Sequence, residues 1–131
     1  MYKNFAKFTN EDAWHFGEEV QNIIKQRQLK PVRIRVVKDG DIIFQYMMEG
    51  KKGDEWLNKK QRTVEHTHQS SLYVYNHQQY YPEFLKEDYA ICGVGYHLLI
   101  ENVYRGCLIV SGLDHQEDHK LILEALGGMD K

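Results

Sequence analysis

The sequence predicts an α+β domain, with a central antiparallel sheet of about five strands flanked by helices. Three segments repeat apolar residues at helical spacing, and five runs read as β-strands. Their order is helix, hairpin, helix, strands, helix, which departs from the strict strand-helix alternation of a doubly wound parallel sheet. At 131 residues, with 42% hydrophobic and 27% charged residues, the chain is expected to form one domain over 1–131.

The first helix is expected to open at Thr9 or Asn10, where Glu11 and Asp12 place acids in the first turn, and to bury Ala13, Phe16, Gly17, Val20 and Ile24. It ends near 28–30, because Pro31 disfavours helical geometry in the residue before it. Val32, Ile34 and Val36 alternate with Arg33 and Arg35. Asp39-Gly40-Asp41 then supplies a turn, and a second β-run follows over 42–48. The polar stretch 49–53 leads to a helix capped by Asp54 and Glu55. Its inward stripe would be Leu57, Gln61, Val64, His68, Ser71 and Tyr75, unusually polar for a face that meets a core. Tyr80-Tyr81-Pro82 breaks that helix, and a helical turn over 83–86 precedes strands at 89–93, 97–103 and 107–111. Tyr104-Arg105-Gly106 is the expected turn between the last two. Asp114, with Glu117 three residues on, caps a final helix that buries Leu121, Ile122, Ala125 and Leu126 and ends at Gly127-Gly128.

A net charge of -2 gives no bulk electrostatic attraction to nucleic acid or to an anionic membrane, so neither is expected as a partner. No apolar run is long enough for a membrane span, and the first residues lack the apolar stretch of a secretory signal, so the expected location is the cytoplasm. Cys92 and Cys107 form no CxxC or CxxCH arrangement and read as buried thiols of strands. Gly93 and Gly95 belong to no phosphate-loop pattern.

The stretch 54–64 (DEWLNKKQRTV), followed by His68-Gln69-Ser70-Ser71, Gly106, Val110-Ser111-Gly112-Leu113 and Glu117-Asp118-His119, resembles the small uncharacterised branch of the HbpS/GlcG-like heme-degrading family. The likeness runs from about Asn10 to Leu126. It implies a profilin-like fold, a homo-oligomer, and heme or another tetrapyrrole as the ligand. The chain departs from that branch at 91–96 (ICGVGY), where a His-Gly-Gly-x-Phe-Pro-like stretch is usual and only Gly93 is kept. A pocket shaped by that stretch is therefore altered here.

The candidate ligand-binding residues are Glu55, Lys59, Arg62, His68, Ser111, Asp118 and His119. Lys59 and Arg62, with Lys60 beside them, supply positive charge that suits carboxylates such as heme propionates, although Glu55 and Lys59 also make an ordinary i, i+4 ion pair. Asp118 beside His119 suits acid-base work, and acids early in a helix equally favour its dipole. His68, His97 or His119 offers an imidazole to heme iron, and the sequence singles out none of them. His115 and His119 share a helix face, but no third ligand stands nearby, so no metal site is expected. His68, Ser70 and Ser71 have no acid at triad spacing, and no catalytic constellation names a reaction class. Two readings stay open. One is an oligomeric binder of a small molecule; the other is an oligomeric scaffold or protein-interaction module without ligand chemistry of its own.

Overall fold

The computed structural model describes residues 4–70, 73, 76, 77, 80 and 95–129. Five strands form one sheet: β1 (Asn4–Phe5), β2 (Arg33–Lys38), β3 (Asp41–Met47), β4 (Gly95–Ile100) and β5 (Val103–Ser111). Three helices complete the described elements: α1 (Asn10–Arg27), α2 (Glu55–Thr67) and α3 (His115–Met129). The strand order is β1-β4-β5-β2-β3, and every pair is antiparallel except β1 with β4. The α+β architecture read from the sequence therefore holds. The parallel edge strand β1 is an addition: Phe5 lies beside Ile100, and the Asn4 side chain accepts the Asn102 amide proton at 2.7 Å. A strand of two residues carries too little periodicity to be read from sequence.

α1 and α3 pack against each other and cover one face of the sheet. Ala13, Phe16, Val20 and Ile24 of α1 meet Ile34 and Val36, Leu98 and Ile100, Leu108 and Val110, and Leu121, Ile122, Ala125 and Leu126 in one continuous apolar core. The start of α1 is fixed by a reciprocal cap, in which the Thr9 hydroxyl accepts from the Asp12 amide and the Asp12 carboxylate accepts from the Thr9 amide. α2 lies on the opposite face over β5, β4 and β2. The apolar core there is much smaller, made of Val37, Leu57, Val64, Cys107 and Ile109 with Tyr104 at its edge.

Polar contacts complete that second layer. The Arg35 guanidinium is buried on the α2 side of β2 and donates to Gln45 Oε1 (2.7 Å), Asn58 Oδ1 (2.6 Å) and Gln61 Oε1 (2.9 Å), with Asp54 Oδ2 at 3.5 Å. Asp54, expected to cap α2, makes no side-chain cap bond and serves Arg35 instead. The expected inward stripe of α2 is also displaced. Lys60 and Thr63 are buried beside Leu57 and Val64, Gln61 turns toward Arg35 and is half-buried, and His68 is exposed in left-handed geometry at the helix end. A lysine reaches the interior here because its ammonium finds oxygen partners there, as described below. Ser71 and Tyr75, the helical turn at 83–86, the strand at 89–93 and Cys92 lie outside the described residues.

The turn expected at Tyr104-Arg105-Gly106 is instead a β-bulge. Leu98 pairs with Gly106 and Leu99 with Tyr104, so Arg105 is the extra residue in β5, and the β4–β5 turn is Glu101-Asn102, both with positive φ. The bulge sends Arg105 to Asp39, with Nε to Oδ1 at 2.5 Å, and this pairing holds the Asp39 carboxyl below the usual carboxylate range. Gly106 is required by proximity: a Cβ there would lie 1.9 Å from the Val37 carbonyl oxygen. β3 carries a second bulge, because Phe44 faces Val36 and Ile42 faces Val37, leaving Ile43 unopposed. α3 continues through Gly127 and Gly128 to Met129, past its expected end, since neither glycine has positive φ. Among the described residues no helix is long and apolar enough to cross a membrane.

Candidate functional site

β5 ends at Ser111, and the chain turns through Gly112 and Leu113 into α3 directly beside the N-terminal half of α2. The turn is tight. Gly112 has φ +153°, and a Cβ on it would fall 2.6 Å from the Pro31 carbonyl oxygen, so the connection can press against the start of β2 only as glycine. Asp114 caps α3, its Oδ1 accepting from the amides of Gln116 (3.1 Å) and Glu117 (3.0 Å). One turn on, Asp118 is almost fully buried and points back to the connection, where its Oδ1 accepts from the Leu113 amide at 2.9 Å. Lys60 approaches from α2. Its Nζ, also buried, donates to the Val110 carbonyl oxygen at 3.2 Å and stands 3.5 Å from Asp118 Oδ2. Burial raises the Asp118 carboxyl to about 6, against the pull of Lys60 and of the Leu113 and Gly112 amides.

Above this pair lies an open cleft of about 480 Å³, within the size range of small-molecule sites. Its lining includes the buried Lys60, Asp118 and Ser111 and the half-exposed Trp56, together with Arg33, Lys51, Gly112, Leu113 and Asp114. The Trp56 indole is half exposed. Arg33 is engaged elsewhere, donating to the carbonyl oxygens of Gly53 (2.7 Å) and Lys52 (2.6 Å) and so bracing the loop before α2.

A family model described as "Haem degrading protein HbpS-like" matches residues 8–127, nearly the whole chain. The chain belongs to the HbpS-like family. Among its relatives, a UPF0303 protein of Streptomyces coelicolor is 30% identical over 132 residues, covering 93% of this chain and 83% of that protein. A UPF0303 protein of Psychromonas ingrahamii is 30% identical, with 97% and 86% covered. Of solved structures, the Ybr137w protein superposes with a TM-score of 0.84 at 25% identity, covering 96% of this chain and 80% of the other. A PduOC–heme complex superposes with a TM-score of 0.77 at 19% identity, covering 92% and 93%, a likeness of fold.

The candidate residues of this HbpS-like chain separate into three places. Ser111 and Asp118 line the cleft. Glu55 and Lys59 sit outside its lining on the surface of α2, joined by an ion pair at 3.3 Å, with the Lys59 ammonium 5.1 Å from the centre of the Trp56 ring. Arg62 is exposed on α2, and His68, beyond the helix end, stacks its ring on Tyr104 at 3.9 Å. His119 is half-buried on α3 with its ring 5.9 Å from Tyr96; burial lowers its basicity, and its Nδ1 is buried without a hydrogen-bond partner among the described residues. His119 is thus turned partly inward. The His115 side chain lies outside the described part of the structure, and among the described residues no cluster of three His, Cys, Asp or Glu suits a metal.

Sequence reasoning left Arg33, Lys51, Trp56 and Lys60 out of the candidate set. Lys60 carried a signal, since it is the member of the Lys59-Lys60 pair that shares a helix face with Leu57 and Val64. Arg33 and Lys51 carried none, because only the tertiary fold brings β2 and the following loop to the cleft. A second buried group lies further along α2, where His97 of β4, Tyr104 and Cys107 face the helix. Burial depresses His97 to about 4, helped by His68, and raises both the Tyr104 phenol and the Cys107 thiol.

Proposed function

We propose that this chain is a binding domain for a planar, carboxylate-bearing small molecule of the tetrapyrrole class, heme included, held in the cleft between α2 and the β5–α3 connection. The observation that carries the reading is the meeting of the half-exposed Trp56 indole with the cationic side chains of Arg33, Lys51 and Lys60 around one cleft. An indole face takes a flat conjugated ring, and the cations take carboxylates. Family membership and the fold shared with a protein crystallised as a heme complex support the ligand class.

The lining fits part of a heme. Lys51, Lys60 and Ser111 suit its propionates and Trp56 its ring, whereas the described lining contains no histidine, cysteine or methionine to ligate iron. The cleft therefore recognises the organic part of the ligand. Glu55, Lys59 and Arg62 belong to the approach along α2 rather than to the cleft itself, and His68 and His119 stand apart from its lining. A single domain that self-associates completes the reading, since a cleft this open gains enclosure from a second copy.

Titrating the purified chain with hemin and following the Soret band tests the proposal. Saturable binding is expected, weakened by Trp56→Ala. An unchanged hemin spectrum, together with an oligomer that dissociates in light scattering when Trp56 or Arg62 is replaced, would favour a scaffold that uses the α2 surface to hold subunits together.

A further inference from the structure

We propose that Lys60 is the carboxylate-selecting residue of the cleft and that Asp118 is the counter-ion which a ligand carboxylate replaces. The inference rests on the cleft reading above and assigns its chemistry to a pair of buried groups. Three cations line the cleft, and they are not equivalent. Arg33 is committed by two short hydrogen bonds to the backbone of the Lys52–Gly53 loop. Lys51 is half-buried. Of the three, Lys60 alone is buried, held at depth by the Val110 carbonyl oxygen.

Its contact with Asp118 is long. At 3.5 Å it falls well outside the roughly 2.7–2.9 Å of a strong ammonium–carboxylate hydrogen bond, so the ion pair is loosely engaged while both charges are buried. Asp118 does not depend on Lys60 for its position, because its other oxygen is fixed by the Leu113 amide. The groups facing Asp118 are Lys60 from α2, the Gly112 and Leu113 amides from the connection, Asp114 at the start of α3, and Arg33 and Lys51 across the cleft.

A ligand carboxylate that settles against Lys60 brings a second negative charge beside Asp118. Burial already favours the neutral form of that carboxyl, so Asp118 takes a proton from solvent, keeps its bond from Leu113, and leaves Lys60 paired with the ligand. One anion replaces another, and the charge of the buried pair is conserved. A neutral ester offers no such replacement. The ligand class that follows is a flat molecule with a free carboxylate, taken up together with about one proton at neutral pH.

The experiment compares hemin with hemin dimethyl ester on the full chain, by Soret titration at pH 7 and by calorimetry of hemin binding in two buffers of different ionisation enthalpy. The free acid is expected to bind at least about tenfold more tightly than the ester, the ratio appropriate to one charge-assisted hydrogen bond. That preference should collapse in Lys60→Gln and be partly kept in Lys60→Arg. Asp118→Asn should retain the preference and lose the proton uptake. Equal binding of acid and ester by the unaltered chain, a comparison that needs no variant to fold, overturns the inference and leaves the tetrapyrrole reading standing. A preference for the acid that persists in Lys60→Gln also overturns it. If neither compound binds, both readings fall.

Discussion

At the scale of single residues, two buried titratable groups pull stability in opposite directions across the same pH window. Asp118 is held up at about 6 by burial, so the folded chain binds a proton that the unfolded chain has already released between about pH 4 and 6. Stability from this group is present at low pH and falls as the pH rises through that range. Asp118→Asn removes the linkage, and its stability relative to the parent should improve by roughly 1–3 kcal/mol from pH 4 to pH 7 in urea denaturation. His97 behaves in the reverse sense. Burial depresses it to about 4, so the unfolded chain takes up a proton near 6.5 that the folded chain refuses, and stability is lost as the pH falls from about 6.5 to 4. His97→Gln should flatten that loss; a variant whose acid-side slope equals the parent's would show that His97 is not the group responsible.

At the scale of elements, backbone proximity sets which glycines are indispensable. Gly106 lies where β5 and β2 run so close that any Cβ meets the Val37 carbonyl, an atom of a central strand that cannot swing aside. Gly106→Ala is expected to cost at least about 3 kcal/mol, at the severe end of single substitutions. Gly127, inside α3 with open space where its Cβ would stand, should give the opposite result: Gly127→Ala gains up to about 1 kcal/mol from helix propensity. Thermal melts of the two variants measure the contrast. The same proximity explains why Tyr104-Arg105-Gly106 read as a turn. A glycine after two bulky residues looks alike in sequence whether it reverses the chain or lets two strands touch, whereas Glu101-Asn102, which does reverse it, holds its left-handed geometry without glycine.

At the scale of the whole molecule, the two layers are built from different materials. α1 and α3 rest on a broad apolar core, while α2 is held by five buried apolar side chains and the Arg35 network. Amides of α2 should therefore exchange with solvent deuterium faster than those of the buried turns of α1 and α3, and equal protection would show that the polar contacts suffice. The division also explains how much was legible in the sequence. Periodicity located α1, the β2–β3 hairpin and α3, because apolar patterning reports burial against an apolar layer. It misplaced the inward face of α2, because a lysine and a threonine are buried there and hydropathy counts both as surface. The cleft was half legible: Ser111 and Asp118 stood out in a motif, whereas Arg33 and Lys51 join it only through the fold. One local irregularity bears on association between copies. The extra residue Ile43 breaks the regular spacing of hydrogen-bonding groups along the outermost strand, β3. A chain lacking Ile43 would present a straight, unpaired border along β3, a ready template for the stacking that seeds fibrils.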